Sequence, residues 1–242
     1  MILAVIPARY GSTRFPGKPL VEIQGKTMIR RVMEQCQKAE RVDRVIVATD
    51  DVRIAEEVRQ HGGIAEMTAD HHKSGTERVA EVAERHGEFS YVLNIQGDEP
   101  FLDPKQIDQL CEVLVEGAQE IATLVTPIHD ADTLFNPNSV KVVQSLSGYA
   151  MYFSRSPIPF CRDTADKDVW PKQVQYLKHI GIYGFSREVL MKIPAMRPSP
   201  LETAESLEQL RWLANGYKIR LAKTQLEAQS VDSPEDLDHF SQ

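Results

Sequence analysis

The sequence predicts an α/β protein: a mostly parallel central sheet with helices on both faces, plus a small β-hairpin lobe. Three observations carry that expectation. Strand-like and helix-like patterns alternate through the first half of the chain. The opening apolar strand empties into a cationic loop containing glycine, and a later apolar strand ends in Gln96-Gly97-Asp98-Glu99-Pro100. Ligands of such sheets sit at the carboxyl ends of the strands, where both of these loops fall.

In chain order, residues 1–7 form an apolar run of strand length followed at once by turn formers. The next loop carries Arg9, Arg14 and Lys18 with Gly11 and Gly17, and no acid appears before Glu22. Exposed backbone N–H groups, a helix N-terminus and three cations suit phosphate, although a basic surface loop has the same composition. A Walker A loop is excluded, because five residues separate Gly11 from Gly17 and Pro19 stands where Ser or Thr must reach magnesium. The G-x-G-x-x-G fingerprint is absent as well.

Residues 28–38 read as a helix with Met28, Ile29, Val32 and Cys36 in one stripe. A strand at 44–48 leads through Thr49-Asp50-Asp51, a helix N-cap, into a helix at 52–60 that stops at Gly62-Gly63. A weak strand at 64–67, a helix at 75–85, a central strand at 91–95 and a helix at 104–115 complete the alternation. After Ile121 the rhythm changes. Segments 140–143 and 149–153 flank a Ser147-Gly148 turn as a hairpin, and the proline-rich stretch 156–171 reads as an exposed loop. A strand at 180–185, a helix at 201–215 ended by Gly216, and a strand at 219–222 precede a helix start at Ser233-Pro234. One domain over 1–242 is expected, with a small dimerisation or lid lobe around 121–171.

A net charge of −7 argues against nucleic acid as a partner, so the basic loop is expected to serve one small anion. Cys36, Cys111 and Cys161 are odd in number and form no C-x-x-C pair, which argues against a disulfide framework or a zinc site. No signal peptide and no stretch of membrane-spanning length is read, so a cytoplasmic protein without a membrane partner is expected.

Asp98, just beyond a buried strand, is placed to hold Mg²⁺ over phosphates, or else to start a helix from a solvated turn. Asp232, in Val231-Asp232-Ser233-Pro234, is either a second such carboxylate or an N-cap. Two acids converging on one ion suit nucleotidyl transfer. In Lys178-His179-Ile180-Gly181-Ile182-Tyr183-Gly184 the glycines mark a close approach to the backbone, while a lone histidine there is more often structural. Leu207, Leu210 and Leu213 make a core stripe, and Glu208 and Gln209 beside it read as solvent-facing or as partners for sugar hydroxyls.

The pattern P-A-R-x-x-S-T-R-x-P-G-K-P-L at 7–20 resembles the nucleotide-binding loop of 3-deoxy-manno-octulosonate (Kdo) cytidylyltransferases. SGTERV, NIQGDEPF, GYAMYFSRSPIP, KHIGIYGF, PSPLE, LEQLR and VDSPEDL resemble the same family in the same order, over nearly the whole chain. The resemblance implies a nucleotide-diphospho-sugar transferase-like fold and a homodimer. It also implies an enzyme that joins CTP to Kdo, giving CMP-Kdo and pyrophosphate for lipopolysaccharide. It implies Mg²⁺ on Asp98 and Asp232, with Lys18 and Gln96 completing the catalytic set. Arg9, Ser12, Arg14, Lys18, Ser74 and Arg78 match positions around CTP, although Arg14 and Arg78 also suit structural ion pairs. Gln96 matches the junction between nucleotide and sugar, and Arg155, His179, Tyr183, Glu208 and Gln209 match the sugar-acid pocket. An 8-amino analogue of Kdo is the alternative acceptor, which the sequence does not exclude. CMP-sialate synthetases share the P-A-R opening but lack an intact QGDEP. A glycosyltransferase would want a D-x-D pair that Asp98-Glu99-Pro100 does not provide. Both metal carboxylates are present, which speaks against a non-catalytic nucleotide sensor.

Overall fold

Strand β1 (Ile2–Ala8) sends Ile2, Ala4 and Ile6 to one side and Leu3 and Val5 to the other, and both sets are buried. A strand apolar on both faces must be covered on both faces, and that requirement shapes the rest of the molecule. The computed structural model describes residues 1–11 and 15–226. A short 3₁₀ turn at Lys18–Leu20 is followed by the small ladder β2 (Glu22–Ile23) and β3 (Lys26–Thr27). Helix α1 (Met28–Lys38), strand β4 (Arg44–Thr49), helix α2 (Val52–Gln60), strand β5 (Ile64–Met67), helix α3 (Gly75–Arg85), strand β6 (Tyr91–Asn94) and helix α4 (Pro104–Glu116) then alternate as expected. Each of these helices starts on a side chain that accepts a backbone N–H: Thr27, Asp51, Ser74 and Asp103. Such caps contribute about 1 kcal/mol apiece.

The second half of the chain contributes β7 (Ile121–Ile128), α5 (Ala131–Phe135), the hairpin β8 (Lys141–Gln144) and β9 (Ala150–Ser154), and α6 (Trp170–Gln173). The long strand β10 (Tyr176–Ser186), α7 (Arg187–Leu190), α8 (Pro200–Glu205), α9 (Gln209–Ala214) and β11 (Ile219–Lys223) follow. The main sheet runs β11-β7-β10-β6-β1-β4-β5. Only β10 is antiparallel to its neighbours along this path, so the sheet is mostly parallel. Helices α1, α2 and α4 cover the Ile2–Ala4–Ile6 face, and α3, α7 and α9 cover the Leu3–Val5 face. Among the described residues no helix is long and apolar enough to cross a membrane.

Three expectations change. The strand read at 180–185 is longer at both ends, because a bulge between Ile180 and Tyr183 absorbs Gly181 and Ile182 without ending the ladder to β7. The single helix read at 201–215 is two, broken where Ser206 takes a left-handed φ of 52°. The stretch 156–171 is not all exposed: Trp170 and Cys161 are buried with Leu134, Ile128 and Tyr176 in a satellite core. Within the segment around 121–171, β7 lies in the interior of the main sheet. The β8–β9 hairpin hydrogen-bonds to β10 through β8, and Glu205 at the end of α8 fastens it by accepting from Ser154 Oγ at 2.6 Å and Arg155 N at 2.8 Å. The helix start at Ser233-Pro234 lies outside the described residues.

Candidate active site

The parallel strands β1, β4 and β6 end along one edge of the sheet, and their loops meet there. After β1 the chain turns through a loop closed by Gly17 N–H donating to Tyr10 O at 3.0 Å. Gly17 has φ 72°, where a Cβ would be strained, and it delivers Lys18 at the start of the 3₁₀ turn, with Pro19 fixing the next residue. After β6, Gly97 lies so close to β1 that a Cβ there would stand 3.0 Å from Pro7 O. This approach brings Asp98 to Lys18, and Lys18 Nζ donates to Asp98 Oδ2 at 2.9 Å. The pair spans 80 residues of sequence.

Two clefts flank it. The first, about 370 Å³, is lined by Arg9, Lys18, Ser74, Arg78, Gln96 and Asp98 among others. It is bounded by the loop after β1, the N-terminus of α3 and the loop after β6, so helix N–H groups and cations face one space. The second, about 480 Å³, lies against the β7–β10 ladder and is lined by Glu99, Arg155, Lys178 and His179. Gln96 and Asp98 line both clefts. The carboxylate of the Lys18–Asp98 pair therefore stands at a common wall, with the ammonium on the side of the first cleft.

Of the expected nucleotide-side residues, Arg9, Lys18, Ser74 and Arg78 are together in the first cleft. Arg78 is also a structural ion-pair partner: it is buried, and it donates to Asp50 Oδ2 at 3.1 Å and to Thr68 Oγ1. Ser12, Arg14 and Asp232 lie outside the described residues. On the sugar side, Arg155 and His179 line the second cleft, whereas Tyr183, Glu208 and Gln209 line neither. Tyr183 is buried, its ring 5.1 Å from that of His179 and 4.8 Å from that of Trp212.

Of the two readings offered for Glu208 and Gln209, the solvent-facing one does not hold. Gln209 is buried, and Glu208 accepts from Ser74 Oγ at 2.8 Å and Thr76 Oγ1 at 2.6 Å. Burial raises the Glu208 carboxyl above its usual pKa, opposed by those two hydroxyls. Asn94 Nδ2 donates to Thr76 Oγ1 at 3.2 Å, and Gln96 Nε2 donates to Asn94 Oδ1 at 3.1 Å. One chain of polar contacts thus runs from α9 to the common wall. Thr76 and Asn94 were not singled out from the sequence, although SGTERV and NIQGDEPF contain them; His72, Lys73, Glu99 and Lys178 line the clefts beside residues that were.

His179 Nε2 is 3.0 Å from Thr123 Oγ1, which also lies 2.6 Å from Ile182 O. A hydroxyl has one proton to give, and the bulge carbonyl takes it, so the imidazole supplies Nε2–H and keeps Nδ1 as an acceptor. Burial pushes the His179 pKa down to about 3. Because the folded value lies below the unfolded one, its contribution to stability is complete above about pH 6.5 and is lost as pH falls toward 3. The ring is expected to stay neutral from pH 5 to 8, followed by its imidazole nitrogen shifts in NMR; a midpoint near 6 contradicts this.

The donor set at the common wall fits magnesium. Asp98 offers a hard carboxylate already 2.9 Å from a cationic group. Among the described residues no three His, Cys, Asp or Glu side chains gather. Mg²⁺ asks for less, usually one or two protein carboxylates with water and phosphate oxygens supplying the remainder.

The model of a family described as cytidylyltransferase matches residues 3–219. The 3-deoxy-manno-octulosonate cytidylyltransferase of Cytophaga hutchinsonii is 48% identical, over 98% of this chain and 94% of its own. That of Bacteroides thetaiotaomicron is 50% identical, over 98% and 95%. The solved structure of a CMP:2-keto-3-deoxy-manno-octonic acid synthetase complexed with CTP superposes with a TM-score of 0.90 at 41% identity, covering 98% of this chain and 95% of that one. A 4-diphosphocytidyl-2C-methyl-D-erythritol synthase from Anaerococcus prevotii, 13% identical with a TM-score of 0.64 over 99% and 93%, shares the fold alone. From its cationic opening loop to the strand that closes its sheet, this chain belongs to the 3-deoxy-manno-octulosonate cytidylyltransferase family.

Proposed function

We propose that this nucleotidyltransferase joins CTP to Kdo, releasing CMP-Kdo and pyrophosphate, with Mg²⁺ as cofactor, to supply a soluble precursor for lipopolysaccharide. The observation that carries the reading is the common wall: a transfer between two substrates needs two adjoining spaces, and Gln96 and Asp98 border both. In the reaction the anomeric hydroxyl oxygen of the sugar acid bonds to the α-phosphorus in line. The bond to the β-phosphate oxygen breaks, pyrophosphate carries away that electron pair, and the hydroxyl proton passes to solvent.

This chain's residues bind and orient. Lys18, Arg9 and the N-terminus of α3 hold the triphosphate in the first cleft. The side-chain amide of Gln96, anchored through Asn94, spaces the two substrates at the wall. Asp98, with Asp232 as the second ligand, would hold Mg²⁺, and the ion would supply neutralisation of phosphate charge and a lowered pKa for the attacking hydroxyl. The cations answer a specific difficulty, since a carboxylate and a triphosphate repel each other on approach.

A cytoplasmic homodimer completes the reading. Leu146 and Met151 on the hairpin and Phe160 beyond it are large apolar side chains left exposed, which supports a partner surface there. Light scattering at micromolar concentration tests it, and a pure monomer contradicts it. Function is tested by pyrophosphate release from each of four nucleoside triphosphates against Kdo, its 8-amino analogue and sialic acid. The expected result is strong release from CTP with Kdo. No release from that pair, or equal release with another triphosphate, contradicts the proposal.

A further inference from the structure

We propose that Lys178 seats the carboxylate of the sugar acid in the second cleft, an inference that rests on the function proposed above. In Kdo the carboxylate is bonded to the same carbon as the attacking hydroxyl. Wherever the hydroxyl meets the α-phosphorus, the carboxylate is therefore within a few ångströms of the triphosphate and needs a cation of its own.

Arg155 and Lys178 are the lysine and arginine side chains lining this cleft among the described residues. Arg155 is held by the backbone: Nε donates to Glu205 O at 2.7 Å, Nη1 to Pro137 O at 3.0 Å and Nη2 to Ser206 O at 3.4 Å, which leaves one N–H on each terminal nitrogen. Its guanidinium is fastened to three backbone carbonyls, which braces β9 against the turn after α8. His179 keeps a neutral ring and offers no charge. Lys178 is half-buried on β10 and, among the described residues, has neither a hydrogen bond nor an ion pair through its ammonium group.

Lys178 pairs in register with Lys141 of β8, whose buried ammonium donates to Asn136 O at 2.8 Å and which does not line the cleft. Of the three carboxylates lining the same cleft, Asp98 is answered by Lys18, Asp130 caps α5 and Glu99 is buried against Gly181, and among the described residues none of them is ion-paired with Lys178.

The test is steady-state kinetics on the full chain with CTP and Kdo varied separately, for Lys178→Met, Lys178→Gln and Lys178→Arg. One charge-assisted contact is lost, so KM for Kdo is expected to rise about 10- to 100-fold in the Met and Gln variants. KM for CTP is expected to stay within about twofold of wild type, with most of the Kdo affinity recovered in the Arg variant. An unchanged KM for Kdo in a Gln variant whose circular dichroism matches wild type overturns the inference, and so does an equal rise in both KM values. Wild-type protein that releases no pyrophosphate from CTP and Kdo overturns the function proposed above rather than the role of Lys178.

Discussion

Asp98→Asn is expected to lower kcat by about 10²- to 10³-fold while leaving the fold intact. The substitution keeps the shape of the side chain and removes its charge, so a site that must gather phosphate, metal and ammonium loses the negative charge that Asp98 brings to the common wall. The effect on stability is small, because the Lys18–Asp98 pair is partly exposed, at 14% and 35%, and a pair so placed contributes about 1 kcal/mol or less. Circular dichroism and the thermal midpoint therefore separate a chemical loss from a folding loss. Near wild-type turnover of this variant at saturating Mg²⁺ contradicts the role given to Asp98.

Lys18→Ala is expected to weaken CTP binding by about 10- to 100-fold and Kdo binding much less. Gly17 and Pro19 fix the backbone on either side, so the lysine is presented to the first cleft by a turn that the substitution does not disturb. What is lost is a cation facing a polyanion, together with the hydrogen bond to Asp98. Titration calorimetry with CTP reads the loss directly, and an unchanged CTP affinity contradicts it.

Much of the first half was legible because local rules and tertiary structure agree there. Helices at 28–38, 52–60 and 75–85 carry a 3.6-residue apolar stripe behind a capping side chain, and they form at those bounds. The first cleft was legible for the same reason: parallel strands deliver their following loops to one edge, so Lys18 and Asp98 meet although 80 residues separate them. The second cleft was harder to see. It depends on a bulge that hides two residues of β10 and on Arg155 being drawn to carbonyls at 137, 205 and 206. The solvent-facing alternative for Glu208 arose because its helix was read as continuous. The left-handed turn at Ser206 resets the helical phase and aims the carboxylate at Ser74 and Thr76, more than 130 residues away in sequence. Trp170 was missed because a run of prolines and charges looks exposed, whereas Phe135 and Tyr176 from other segments wall it in.

The most direct measurement is a crystal structure with CTP, Mg²⁺ and an unreactive Kdo analogue lacking the anomeric hydroxyl. The expected result places the triphosphate on Lys18 and the N-terminus of α3, the analogue beside Arg155 and His179, and the α-phosphorus at the wall formed by Gln96 and Asp98. A triphosphate bound away from Asp98, or an analogue on the far side of the sheet from the β7–β10 cleft, would contradict the two-cleft arrangement.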